Sequence, residues 1–490
     1  MIIKNSLWSV LLTFMQLIFA FIMVPLYIKY LGNLEYGVLI LSTVIIGFSS
    51  IFSFGLGETT LRYVSKFYAS GNIVKIKSLL ETVWFIYIII AILLFILLFF
   101  YPEILSFLLK DFNNLNIFKL VAILVFLNFF GGIFNIIPEA LQNYKFIAQI
   151  NIINIFILNI GIFYLLKTMP NVSYILIWQI LCNILMISIN FIFFYNKFKL
   201  ILIPKIHISL LKDIFSYSFF TFLIHLVVYL RLHFETFLIS FLLGVKNIVY
   251  LDTPRNVVSK SAVIIRSIER VFFPKFSEIS EDINKSKSLL IKSMIILTII
   301  SVSIFIPLTL FFFDFISLWI NEDFAKKSYF IGVVISSSFL LSGVVGISII
   351  FLKSINKVKL LSFLELINSI VSIILTYALV RNFGLYGVGF SFWIARLINS
   401  YTVFYVFYFI FDKDKNNLIK MLFFLLFNYL LLILLFFFKL NINLVCSDFF
   451  SLILNIIDII LLILLLNIFI VRFLWKINLI KIIKRKLYGK

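Results

Sequence analysis

Runs of about twenty consecutive apolar residues recur along the whole chain, and no other feature limits the fold as strongly. A helix needs about 20 such residues to cross the hydrocarbon core of a bilayer. A window of that length gives fourteen candidate spans, near 7–30, 36–57, 80–100, 117–138, 147–167, 172–195, 214–243, 248–273, 289–313, 328–352, 359–381, 386–411, 418–439 and 449–474. Hydrophobic residues make up 63% of the chain and charged residues 13%. A soluble domain carries about 25% charged residues, so there is too little polar surface here to cover a water-soluble globule. Backbone amides have no water partner in lipid, which leaves helices or a closed barrel. The alternating strands of a barrel are missing. The expected fold class is an all-α integral membrane protein with about 14 transmembrane helices.

The formal net charge of +21 has a membrane explanation. The basic residues are scattered over many short loops and form no single patch, so no nucleic-acid partner is expected. Alternate loops differ sharply. One set holds Lys4, Arg62, Lys66, Lys75, Lys77, Lys145, the cluster from Lys197 to Lys212, the cluster from Arg266 to Lys292, Lys353, Lys357, Lys359, Lys413, Lys415, Lys420 and the basic tail. The other holds Lys29, Lys110, Lys167, Lys246, Lys326, Lys327, Arg381 and Lys439. Lys and Arg favour the cytoplasmic side, where anionic lipid lies close by, so both termini are expected to be cytoplasmic. The first 30 residues read as an uncleaved first helix, because the apolar run is too long for a signal peptide and no small-residue cleavage site follows it. Cys182 and Cys446 lie in or beside apolar segments without partners at ligand spacing, so neither a disulfide framework nor a metal site is expected. The longest polar stretch, about Lys275 to Lys292, is too short for a separate catalytic domain.

Two short matches suggest an internal duplication. Leu31-Gly32 pairs with Leu243-Gly244 at an offset of 212, and Leu141-Gln142-Asn143 pairs with Leu352-Lys353-Ser354 at an offset of 211. The expected organisation is therefore a first six-helix lobe over 1–200, a second over 201–411, and helices 13–14 with a basic cytoplasmic tail over 412–490. Parallel repeats of this kind typically enclose a site near the midplane.

Ionisable groups inside spans are costly, so each needs a partner, a cavity or a role. The seventh span carries His225, Arg231, His233 and Glu235. Arg231 and Glu235 stand four apart, on one helix face. Either they form an internal salt bridge, or Arg231 faces a cavity and binds an anion with Glu235 as its counter-charge. In the eighth span Asp252, Asn256, Ser259, Arg266 and Arg270 recur at helical spacing, with Arg255, Lys260 and Glu269 nearby and Pro254 as a candidate kink. Such a stripe does not face lipid. Arg396, Glu365 and Asp458 are isolated in later spans, while Glu58 and Arg62 end the second, where an interfacial role suits Arg62. The candidate substrate-binding cations are thus Arg231, Arg255, Lys260 and Arg396. Glu235, Asp252 and Glu365 are candidates for counter-charge or ion coupling. Arg offers planar, multi-donor contacts to phosphate, so this set suits an anionic headgroup. No catalytic motif of a hydrolase, a metalloprotease or an ATP-driven pump is present. No cofactor is expected, and a proton or sodium gradient is the energy source compatible with the chain.

The ordered motifs resemble the polysaccharide-exporter branch of the MOP superfamily, the Wzx-type O-antigen flippases. Leu31-Gly32-Asn33-Leu34-Glu35-Tyr36-Gly37 is similar to that family's turn between helices 1 and 2. Gly55-Leu56-Gly57 with Arg62-Tyr63-Val64 is similar to its helix 2 end, and Leu141-Gln142-Asn143-Tyr144-Lys145 to its loop 4–5. Leu243-Gly244 with Tyr250 resembles the helix 7–8 junction. Ile306-Pro307-Leu308 and Leu318-Trp319-Ile320 resemble helix 9 and its exit, and Gly384-Leu385-Tyr386-Gly387 the entry to helix 12. The matches span most of residues 1–411. Residues 412–490 rest on hydropathy alone, and the family's frequent helix 7 Asp appears here as Glu235. The resemblance implies a two-lobed bundle in a bacterial inner membrane with a central cationic cavity. It also implies transport of an undecaprenyl-diphosphate-linked oligosaccharide from the cytoplasmic to the periplasmic leaflet, alongside a polysaccharide polymerase and a chain-length regulator. A lipid II flippase and a cation-coupled multidrug exporter of the same superfamily are the alternatives. The drug exporter calls for an acidic or apolar cavity instead.

Overall fold

The computed structural model describes residues 2–108, 114–207, 233–279, 282–442 and 446–476, together with positions 222, 226, 229 and 230. The described residues are mostly helical, with no strand among them. Eleven stretches of them are long and apolar enough to cross a membrane, as an all-α membrane protein requires. By contact the chain divides into two units, Met1–Val249 and Tyr250–Lys490.

The first unit opens on α1 (Ile2–Ser49), a 48-residue stretch in which two helical segments join end to end, as the two spans predicted there require. The boundary between them is a kink at Gly32, whose φ of 72° and ψ of 173° are essentially restricted to glycine. A 3-10 turn over Ser50–Ser53 and two left-handed residues, Phe54 and Gly55, lead into α2 (Leu56–Ala69). Then come α3 (Ile73–Phe100), α4 (Asn116–Ala140), α5 (Tyr144–Thr168), α6 (Val172–Phe198) and a short apolar α7 (His233–Leu243). Asn72, Asn143 and Asn171 cap α3, α5 and α6, each accepting a backbone N–H of the first turn, which satisfies donors that the helix itself leaves open.

Small residues let these helices approach closely, as membrane helices require in the absence of a hydrophobic driving force. A Cβ on Gly131 of α4 would lie 2.3 Å from Ile187 of α6, and one on Gly161 of α5 would lie 2.1 Å from the Trp178 indole of α6. Trp84 of α3 donates to the Phe130 carbonyl of α4 at 3.0 Å. At the entry to α6, Glu35 of α1 accepts the Val172 N–H at 2.9 Å.

In the second unit the predicted span 248–273 is covered by α8 (Ile248–Ser261) and α9 (Val263–Glu278), which join through Ala262, itself helical at φ −70° and ψ −11°. Their polar stripe keeps both out of the eleven apolar stretches. Half of the predicted span 214–243, in the first unit, lies outside the described residues. The remaining elements are α10 (Ile283–Leu310), α11 (Phe312–Trp319), α12 (Glu322–Ser338), α13 (Ser342–Ser354), α14 (Val358–Phe383), α15 (Leu385–Asn399), α16 (Tyr401–Tyr405), α17 (Lys415–Ile442) and α18 (Phe449–Trp475). Against α10, a Cβ on Gly343 of α13 would lie 2.4 Å from the Leu297 carbonyl oxygen. Buried hydroxyls bridge α10 to both of its neighbours, Ser301 to Ser342 of α13 at 3.2 Å and Thr309 to Ser336 of α12 at 2.8 Å. Asn467 of α18 donates to Asn428 of α17 at 3.0 Å.

The backbone bears on the duplication. Gly244 adopts φ 92° and ψ 155°, close to the conformation of Gly32. The turn after α4 sets Gln142 at φ 55° and bonds Asn143 N–H to the Pro138 carbonyl at 2.9 Å. After α13 the same turn recurs with Asn356 at φ 62° and Lys357 N–H on the Leu352 carbonyl, also at 2.9 Å. Asn356 is thus the geometric counterpart of Gln142, whereas the sequence match pairs Gln142 with Lys353. The left-handed residue defines this helix-ending turn, and its identity differs between the two copies.

Candidate functional site

Asp252, in the first half of α8, organises the cationic stripe. It is 8% exposed. Its carboxylate accepts one hydrogen bond from Arg255 Nη2 and another from Asn256 Nδ2, both at 2.6 Å. The i+3 and i+4 spacing places both donors beside it on one helix face. Lys260, two turns on and half-buried, feels the same carboxylate. Pro254 within α8 has no N–H, so the Tyr250 carbonyl lacks its ordinary intrahelical donor. Arg266 of α9 donates to the Ser259 carbonyl at 2.8 Å, bridging the break between α8 and α9.

Arg396 on α15 stands with different partners. Its guanidinium carbon lies 4.2 Å from the centroid of the Phe339 ring, a distance at which a cation is attracted by the ring's face. The buried Glu269 of α9 lies within its electrostatic reach, as does Tyr429 of α17. Glu269 in turn depends on Gly346 of α13: a Cβ there would lie 1.8 Å from Glu269 Oε1. Tyr429 Oη and Trp393 Nε1 both donate to Ser337, to its carbonyl and its hydroxyl respectively, each at 3.1 Å.

Asp252, Arg255 and Lys260 are therefore brought together, and Arg396 is placed with Glu269. Arg231 and His225 lie outside the described residues. Glu235 is buried on α7 at 7% exposure. Glu365 is half-buried on α14, and Arg62 is exposed on α2.

Each unit also contains a cavity of its own. In the second, about 750 Å³ opens between α13, α14, α15, α16 and α17. Its walls are apolar, with Trp393 and Tyr429 among them, and no charged side chain lines it. Its chemistry accepts hydrocarbon. In the first unit, about 490 Å³ opens between α1, α4, α5 and α6. Its lining is rich in carboxamides, among them Asn128, Asn135, Asn151, Asn154, Asn183 and Asn190. A search confined to ionisable residues passes over these. Their spacing within apolar spans is the signal that finds them: seven residues on α4 and on α6, three on α5.

Comparison with known proteins places these features in context. The pattern defining the family of polysaccharide biosynthesis proteins matches residues 29–328. A candidate O-antigen transporter of Shigella flexneri is 22% identical over 404 residues, covering 81% of this chain and 95% of that protein. Among solved structures, the lipid II flippase MurJ in an inward closed conformation is similar with a TM-score of 0.71 and 18% identity, over 99% of each chain. An inward-facing multidrug resistance transporter of the MATE family, in the MOP superfamily, is similar with a TM-score of 0.61 and 12% identity, over 82% of this chain and 93% of that one.

Proposed function

We propose, since this chain belongs to the family of polysaccharide biosynthesis proteins, that it flips a lipid-linked oligosaccharide across the membrane. It is a multi-pass membrane protein of the MOP superfamily fold and a transporter of polysaccharide units rather than an enzyme. The finer reading is an undecaprenyl-diphosphate-linked repeat unit of the O-antigen or capsular type. It moves from the cytoplasmic to the periplasmic leaflet of a bacterial inner membrane, with both termini cytoplasmic.

The observation that carries this reading is the presence of guanidinium groups among apolar helices, each placed beside a carboxylate or an aromatic face: Arg255 on Asp252 and Arg396 on Phe339. A diphosphate needs multi-donor cations in a site of low dielectric. The carboxylates keep these cations solvated between substrates, since a lone charge at membrane depth is expensive. Binding then exchanges an internal counter-charge for the phosphates. The sugar occupies water within the bundle and the prenyl chain stays with hydrocarbon. A drug exporter for cations would place the opposite charge at these positions.

The test is genetic and chemical together. Deletion of the gene should cause lipid-linked repeat units to accumulate on the cytoplasmic leaflet. Complementation should be lost with Arg255→Ala and with Arg396→Ala at wild-type membrane levels. Normal surface polysaccharide in a deletion strain with no second exporter, or full complementation by both variants, refutes the reading.

A further inference from the structure

The carboxamide-lined cavity of the first unit is not accounted for by the cationic site. The simplest structural account is adhesion between helices. Asn183 Nδ2 of α6 donates to Asn128 Oδ1 of α4, and Asn190 Nδ2 donates to Asn135 Oδ1, both at 2.8 Å. Amide pairs of this kind join membrane helices. That account explains four of the amides and stops there. Asn151 and Asn154 on α5, and Gln179 on α6, face the same cavity and take no part in those pairs. The buried Asn154 Oδ1 has no hydrogen-bond partner. A buried amide oxygen left without a donor is costly.

The depth of these groups sharpens the problem. Asn128 is twelve residues from either end of α4, about 18 Å along the axis in each direction. Asn154 and Asn183 sit similarly near the centres of α5 and α6. Asn128 and Asn135 are exposed, yet amides at that depth do not face acyl chains. The surface they line must hold water or a polar ligand.

The chemistry of the lining narrows the ligand. No lining residue carries a charge. A diphosphate would find no cation there, and a metal ion or cationic drug would find no carboxylate. Carboxamides present a donor and an acceptor on one rigid plane, which suits adjacent hydroxyls and acetamido groups. Leu124, Pro138, Ile150 and Met186 complete the wall and offer apolar surface to the C–H face of a sugar ring. A volume of about 490 Å³ falls within the range of about 300–1,000 Å³ typical of small-ligand sites.

We infer that this cavity is a carbohydrate subsite. It takes uncharged hydroxyl and acetamido groups of the substrate's sugar. The inference rests on the lipid-linked oligosaccharide reading and adds to it where the glycan is recognised. Asn151, Asn154 and Gln179 are the selective contacts, and the Asn128–Asn183 and Asn135–Asn190 pairs hold the wall.

The experiment uses the purified full-length chain and two probes, polyprenyl diphosphate and the same lipid bearing its oligosaccharide. Binding is read by native mass spectrometry. Wild type should prefer the glycosylated lipid. Asn154→Leu and, on a different helix, Gln179→Leu should each reduce that preference about five- to tenfold, the scale of one lost hydrogen bond left uncompensated, with affinity for the bare lipid unchanged. Asn154→Gln should retain part of the preference. Two helices are sampled so that one misfolded variant does not decide the matter. A wild-type chain that binds both lipids equally, or leucine variants that keep the full preference, overturns the subsite. A folded wild-type chain that binds neither lipid overturns the flippase reading itself, and the subsite falls with it.

Discussion

Lys439 near the end of α17 reaches a buried pocket at the junction of α10 and α11. It pairs there with Asp314, donates to the Leu310 carbonyl at 2.8 Å and lies 4.6 Å from the centroid of the Phe311 ring. Among the described residues Asp314 otherwise accepts a long bond from the Cys446 N–H, at 3.5 Å. The side chains are 19% and 5% exposed. Lys439→Met therefore strands a carboxylate. Removing one partner of a buried pair typically costs about 3–5 kcal/mol. The residual exposure on the lysine side favours the lower end, about 3 kcal/mol. The double variant Lys439→Met/Asp314→Leu replaces the pair with packed apolar groups and should return to within about 1 kcal/mol of wild type. Unfolding in mixed detergent and SDS at pH 7, followed by tryptophan fluorescence, measures both. A loss for Lys439→Met below about 0.5 kcal/mol at pH 7, or a double variant no better than the single one, refutes the assignment of Lys439–Asp314 as a latch on α17.

Three further outcomes are expected. Gly32→Ala should destabilise by about 1–3 kcal/mol through backbone strain alone, since no atom lies within 4 Å of the added Cβ; Gly57→Ala, whose Cβ would meet ordinary contacts at 3.7 Å, should be neutral to slightly stabilising in the same unfolding assay. Gly343→Ala must part α10 from α13, because the obstacle is backbone at 2.4–2.7 Å, and should cost about 1–3 kcal/mol. Gly346→Ala meets only the end of the Glu269 side chain, so it should leave stability nearly intact while lowering complementation of a deletion strain, as should Arg396→Lys, which keeps the charge but loses the planar face stacked on Phe339; equal transport by both variants and wild type would remove Glu269 and Arg396 from the site.

The helical membrane class was legible because it depends on summed apolar length, which a window along the chain measures directly. Boundaries of α4 through α6 and of α17 and α18 follow from the same sum, whereas α3 begins at Ile73, seven residues before the expected start. The first two spans were legible in the same way: Gly32 reads as a turn residue between two apolar runs, and its non-helical conformation marks the break there. The eighth span is covered by α8 and α9, whose junction at Ala262 is bridged by Arg266 on the Ser259 carbonyl, and its polar stripe was legible at helical spacing. The partner of Arg255 was close in sequence and therefore readable, since Asp252 is one helical turn away. The partner of Arg396 was not: Glu269 lies 127 positions earlier, and only folding brings them within reach of each other.

The carboxamides show a different limit, one set by energy rather than by distance in sequence. A charge at membrane depth is so costly that each instance stands out against an apolar span and demands an explanation. An amide costs less, pairs with its own kind, and hides in a chain rich in asparagine. Composition alone gives no reason to separate Asn154 from the asparagines that cap helices, such as Asn143. What separates them is position. Caps lie at helix ends, where backbone donors await a partner, whereas Asn128, Asn154 and Asn183 lie at mid-span, where the backbone is already satisfied and their amides must look outward. A polar group that the backbone does not need, held at a depth where lipid cannot serve it, is there for a neighbouring helix or for a ligand. For Asn128 and Asn135 the neighbour is α6; for Asn154, whose Oδ1 has no hydrogen-bond partner, a ligand is the role the carbohydrate subsite gives it.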